Sequence, residues 1–210
     1  MNWQENMAHR GFLQKNRRAL TRYFAVLLSI MISLSESAWN AHHSGIADAL
    51  FLTGLVLVGI AAVGRLWCSL HISGYKTNTL ITVGPYSLCR NPLYAFSLLG
   101  GIGVGLASET FSLAVAIGLA FLLYYPLVVR AEERNLRELH RADFEKYLAT
   151  TPRFWPSFRR FQEPPEYVVR PRIFRRAMRD ALLFVWAVAA LKLLEALHEH
   201  QILSTLFRMY

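Results

Sequence analysis

The chain is short of charge. Asp, Glu, Lys and Arg make up 18% of its 210 residues, against about 25% in soluble globular domains. Acid is the scarcer sign, with 14 carboxylates against 23 basic residues and a formal net charge of +9. Cysteine is nearly absent. Cys68 and Cys89 both stand near basic residues, on the side that the charge pattern below marks as reducing, so no disulfide is expected. No Cys/His grouping has the spacing of a zinc site, and no metal is assigned. A signal-peptide cleavage site is also missing. Met1 to Arg22 is polar and basic for too long, and the first apolar run ends in Ser-Glu-Ser-Ala-Trp, so that run is expected to remain as an anchor.

What the sequence has instead is apolar blocks. Hydrophobic residues make up 54% of the chain and the mean hydropathy is +0.27, which points to lipid as the solvent. The runs are Tyr23 to Trp39, Ile46 to Leu70, Leu93 to Ala107, Phe111 to Val129 and Ala181 to Leu197. A helix over Phe111–Val129 would span about 28 Å, enough for a bilayer core. Only Ser108-Glu109-Thr110 separates it from the run before, so the two are expected to form a tight helical hairpin. Lys192 and Glu195 interrupt the last run, three apart and able to pair on one face. A tilted transmembrane helix is the favoured reading of 181–197, and an interfacial amphipathic helix the alternative. The fold class is therefore an all-α integral membrane protein of about five transmembrane helices. Gly100-Gly101-Ile102-Gly103-Val104-Gly105 falls inside an apolar helix, not after a strand, so close helix packing is expected of it rather than nucleotide binding.

Charge fixes the expected orientation. The segment before residue 23 carries Arg10, Lys15, Arg17, Arg18 and Arg22; the stretch 65–90 carries Arg65, Lys76 and Arg90; the stretch 130–179 carries thirteen Arg or Lys, while 40–48 and 108–110 carry none. Excess positive charge stays cytoplasmic. The N-terminus, the 65–92 loop and the 130–179 segment are therefore placed inside. This distribution suits anionic headgroups and argues against nucleic acid. A bacterial inner membrane is the expected location. His42-His43 and His198-x-His200 fall on the outer side and read as solvated polar residues. Arg65, near the end of its run, reads as snorkelling to the interface, or as meeting an anionic substrate group.

Three clusters can carry chemistry. In the first, Gly84-Pro85-Tyr86 reads as a turn, and Asn91-Pro92 as a helix start with Asn91 as N-cap; Arg90, Tyr86 and Tyr94 stand beside it. In the second, Arg130-Ala131-Glu132-Glu133-Arg134-Asn135-Leu136-Arg137 follows the fourth run. Ion pairs such as Glu133–Arg137 and Arg134–Glu138 would make it an ordinary solvated helix. Yet Glu132 and Glu133 point about 100° apart on a helix, so one can face a pocket while the other stays solvated. The third is Phe144-Glu145-Lys146-Tyr147 followed by Pro152-Arg153-Phe154-Trp155-Pro156, where Phe154 and Trp155 either anchor at headgroup level or wall an apolar pocket.

In this order the clusters resemble the isoprenylcysteine carboxyl methyltransferases and their relatives, the phospholipid N-methyltransferases. The resemblance rests on Gly84-Pro85-Tyr86, Arg90-Asn91-Pro92-Leu93-Tyr94, Glu132-Glu133, Tyr147 and Pro152-Arg153-Phe154-Trp155-Pro156, and covers roughly residues 64–156. Asn91 departs from it, standing where that family usually has His; Asn cannot titrate, which puts a proton-transfer role there in doubt. The resemblance implies S-adenosylmethionine as cofactor, held at a cytoplasmic membrane face by Gly84, Tyr86, Arg90, Asn91, Pro92, Tyr94, Glu132, Glu133 and Tyr147. Arg90 and Glu133 would be the residues closest to the chemistry. Glu132 or Glu133 would take the ammonium or the ribose hydroxyls, Arg90 the carboxylate or an anionic acceptor, and Tyr86 and Tyr94 the adenine or the sulfonium. The acceptor would be lipid-like or prenylated. The organisation expected is a basic N-terminal segment (1–22), two transmembrane helices (23–63), the methyltransferase-like core (64–156), and a basic linker with a last helix (157–210). A membrane scaffold or accessory subunit that keeps the fold without turnover is the alternative.

Overall fold

A computed structural model describes residues 35–37, 44–75, 79–200 and 207–209. The first apolar run, 23–39, and His42-His43 lie outside these, apart from Ser35–Ser37. Those three residues form a short strand, β1, which pairs in parallel with β2 (Phe207–Met209), Ser35 opposite Phe207. The pairing sets the end of the first run beside Phe207–Met209.

The rest is helical. α1 covers Ser44–Ile72, α2 is the single turn Pro85–Leu88, α3 covers Pro92–Ala107, α4 Phe111–Thr150 and α5 Pro171–Glu199. Three of these are long and apolar enough to cross a membrane, over Gly45–Ile72, Phe111–Thr150 and Pro171–His198; α3 is apolar but shorter. The chain is an all-α membrane protein. Leu52, Val56, Val63, Leu119, Leu122 and Leu123 point outward, as side chains facing lipid should.

Lipid tails are as apolar as leucine, so helices in a membrane are held by close packing and polar ties rather than by exclusion of water. The glycine-rich run supplies the close packing. A Cβ on Gly54 of α1 would fall 2.5 Å from the Gly103 carbonyl oxygen of α3, and one on Gly105 would fall 2.6 Å from the Cα of Ala114 in α4. The α1–α3 and α3–α4 contacts are thus backbone against backbone. Glu109, at φ 58°, turns the chain between α3 and α4, giving the tight hairpin that the three-residue link predicted. α5 packs along α1 and α3 through Phe184, Val188 and Leu191, against Phe51, Val58, Val104 and Ala107.

Charge inside the bundle is paired. Lys192 sits 2.6 Å from Glu195, as their spacing predicted, and also 2.5 Å from Glu109 at the hairpin turn. Arg65 does not reach a free interface: its guanidinium donates to Ser97 Oγ on α3 and lies over the Phe184 ring. His198, expected to be solvated, is buried at the end of α5, while His200 is exposed.

Helix α4 outruns its apolar part. Past Val129 it continues through Ala131, Glu132, Glu133 and Leu136 to Leu139, all good helix formers. It then breaks at Arg141 (φ 39°, ψ −110°) before resuming to Thr150. The break redirects the last turns, which carry Phe144 and Tyr147 into the protein.

Candidate active site

The site is built where the segment 79–92 meets the end of α4 and the stretch after it. Gly84 is required twice over. Its φ is +60°, a left-handed conformation that side chains rarely adopt, and a Cβ there would lie 2.2 Å from Nε2 of the buried His71. Its N–H donates to the Gln162 carbonyl at 2.6 Å. Ser87 Oγ donates to the Gly84 carbonyl at 2.6 Å and accepts the Gln162 N–H at 3.1 Å. Further along, the Arg90 N–H donates to Pro152 and the Ser157 N–H to Leu88. These backbone bonds stitch the first cluster to the third, as a paired edge does in a sheet.

The side chains then close a charged knot. Arg90 Nε donates to Glu133 Oε1 at 3.2 Å, while its Nη1 donates to the carbonyls of Leu148 (3.2 Å) and Thr151 (2.6 Å). Arg153 Nη2 donates to the other oxygen, Glu133 Oε2, at 2.6 Å. Glu133 is therefore not paired with Arg137, which instead meets Glu145 across the break in α4. Burial explains the preference: Glu133 is 15% exposed, and a carboxylate taken that far out of water needs both its oxygens satisfied. Asn91 holds the N-cap position of α3, but its side chain makes no cap bond. Its amide donates to the Arg153 carbonyl at 3.2 Å instead, tying the third cluster down. Pro92 opens the helix, as expected.

Tyr147 belongs to the same knot, its hydroxyl donating to the Tyr86 carbonyl at 2.7 Å. Burial pushes the Tyr86 phenol well above its ordinary value and the Cys89 thiol up to about 11, so both are neutral at physiological pH.

Glu132 is arranged differently. It is exposed and accepts the Tyr94 hydroxyl at 2.7 Å. The Tyr94 ring meets Tyr125 edge-on at 4.9 Å, and Tyr125 stacks on Phe121 at 3.5 Å. A carboxylate thus stands at the rim of an aromatic wall that descends into the apolar part of α4, an environment that attracts cations. Sequence reading missed Phe121 and Tyr125. Their signal was the spacing Phe121, Tyr125, Glu132, which falls on one helical face. Beside Tyr147 and Thr151 opens a cleft of about 640 Å³ lined by hydroxyls, among them Thr79, Thr82, Ser87 and Thr150, and by Lys146 and Arg160. That volume lies within the range of small-molecule sites. Trp155 is 86% exposed, too open to wall an apolar pocket. Among the described residues, no group of three or more His, Cys, Asp and Glu is arranged to hold a metal.

Residues 41–143 match the phospholipid methyltransferase family. The chain belongs to that family. The match takes in Gly84–Tyr94 and Glu132-Glu133 and stops short of Tyr147 and Arg153. Relatives extend over more of the chain. It is 37% identical over 175 residues to the nickel-cobalt-cadmium resistance protein NccN of Alcaligenes xylosoxydans xylosoxydans, covering 83% of this chain and 81% of that protein. It is 34% identical over 193 residues to the cobalt-zinc-cadmium resistance protein CzcN of Cupriavidus metallidurans, covering 92% and 88%. No solved structure matches. As a member of the phospholipid methyltransferase family with apolar spanning helices, the chain is a membrane methyltransferase.

Proposed function

We propose that this chain transfers a methyl group from S-adenosylmethionine to a lipid-like or prenylated acceptor at the cytoplasmic face of a bacterial inner membrane, with its N-terminus inside. The observation that carries the reading is Glu132 at the rim of the Tyr94–Tyr125–Phe121 wall. S-adenosylmethionine offers an ammonium and a sulfonium to such a place, and the sulfonium supplies an activated methyl group. The donor set fits a cation. Both Glu133 oxygens are engaged by arginines, so the choice between the two carboxylates falls to Glu132. Arg90, committed to Glu133 and two carbonyls, is a positioning residue: it holds the 79–92 segment against the end of α4. The hydroxyl-lined cleft next to Tyr147 would take the more polar end of the cofactor. Methyl transfer is an in-line displacement, so the protein's tasks are alignment and exclusion of water. An acceptor arriving through the bilayer reaches the wall from the lipid side. The relatives' names add a setting, resistance to nickel, cobalt, zinc and cadmium, in which methylation of an envelope component would act.

The test is calorimetry of the full chain in nanodiscs with S-adenosylmethionine, paired with transfer of labelled methyl groups into a lipid extract. Glu132→Gln should weaken binding at least tenfold and abolish transfer while the protein stays folded. Cofactor binding unaffected by Glu132→Gln would overturn the assignment of that carboxylate. One observation favours a scaffold without turnover: Asn91, Arg90 and Glu133 are all occupied by contacts within the chain. Labelled lipid above the Glu132→Gln background would rule it out.

A further inference from the structure

We infer that the first two and a half turns of α5 form a docking surface for the anionic phospholipid headgroups of the surrounding bilayer. Arg172, Arg175, Arg176 and Arg179 recur at i, i+3, i+4 and i+7, which places them on one helical face. All four are exposed. Within the protein this arrangement is unfavourable. Arg172 and Arg176, and again Arg175 and Arg179, are like charges four apart, which repel. The first turn of α5 contains no acidic residue, and cations at this end of a helix oppose its dipole. Among the described residues no ion pair offsets them, since each one lies elsewhere. An anion from outside would.

The bilayer is the occupant that the geometry selects. The helix runs from Arg179 through Asp180 directly into its apolar part at Ala181, so the last arginine stands about 3 Å along the axis from the start of the apolar stretch. That is headgroup depth. Trp155 and Phe158, 86% and 75% exposed, are aromatic side chains of the kind that headgroup depth accommodates. Guanidinium forks bind phosphate oxygens two at a time. The face lies beyond the residues that match the methyltransferase family and does not depend on the reaction proposed above.

Native mass spectrometry of the full chain, released from mixed micelles of equal phosphatidylglycerol and phosphatidylcholine, tests it. The wild type should retain phosphatidylglycerol preferentially. Replacing Arg172 and Arg176 by Gln should cut that preference about fivefold per arginine, whereas lysine at both positions should keep most of it. Equal retention of the two lipids by the wild type would overturn the inference, as would a Gln variant with undiminished preference. Should the Gln variant fail to fold, the wild-type result still decides. Displacement of phosphatidylglycerol by micromolar oligonucleotide or acidic peptide would reassign the surface to a soluble partner.

Discussion

Arg90 and Glu133, 43 positions apart, meet at 3.2 Å with side chains only 13% and 15% exposed. Arg153 completes the arrangement from the other side of the carboxylate. A knot of this kind costs little while complete and much when one partner goes, because the survivor is left charged and poorly solvated. Glu133→Ala is expected to destabilise the folded chain by about 3 kcal/mol, read as a lowered Tm in detergent. Arg137→Ala removes a pair whose members are both 55% exposed, and should cost no more than about 0.5 kcal/mol. Similar losses for the two variants would mean that the Arg90–Glu133 contact does not lock the site.

Cys89 gives the site a pH signature. Burial raises its thiol from 9.0 to about 11, partly offset by the Asn91 backbone N–H and the charge of Arg90. A raised folded-state value means that the unfolded chain loses the proton first. The stabilising contribution is complete below pH 9 and falls away as pH rises from 9 through 11. Cys89→Ala should therefore flatten the decline of Tm over that window. At pH 7.5, iodoacetamide should label Cys89 slowly in the folded chain and readily after unfolding, as read by peptide mass spectrometry. Rapid labelling of the folded chain at pH 7.5 would contradict the assignment.

Much of this architecture was legible because lipid imposes long apolar runs. Hydropathy alone located α1, α3 and the apolar part of α5, whose first ten residues, Pro171 to Asp180, were read as basic linker, and the link Ser108-Glu109-Thr110 announced the hairpin. The glycine run was read for its packing, and Gly103 and Gly105 indeed meet backbone. Where reading failed, the deciding contact lay far off in sequence. Asn91 looks like a helix cap from its neighbours, yet its side chain is drawn to the Arg153 carbonyl, 62 residues on. Glu133 looks like a partner for Arg137, one turn away, yet burial hands it to Arg90 and Arg153. The extension of α4 beyond the apolar run and its break at Arg141 leave no mark in hydropathy, and Tyr125 reads as one more aromatic until Tyr94 is placed against it.

The second polar tie lies at the opposite end of the hairpin. Lys192 joins α5 to the turn between α3 and α4 through Glu109, whose side chain is 8% exposed, and its ammonium stands 4.1 Å from the centre of the Phe51 ring of α1. One cation thus ties α5 to α1 and to the hairpin, where apolar packing alone supplies little preference between helix registers. Lys192→Met keeps the length of the side chain but takes the ammonium away from Glu109, whose side chain is only 8% exposed. A loss of about 2–4 kcal/mol is expected, less than for a wholly buried pair because Lys192 itself is 38% exposed. Adding Glu109→Gln removes the poorly solvated carboxylate that Lys192 no longer offsets, so the double variant should recover at least about 1 kcal/mol of that loss. The Tm of the four proteins in one detergent completes the cycle. Strict additivity would mean that Lys192 and Glu109 do not interact in the folded membrane protein.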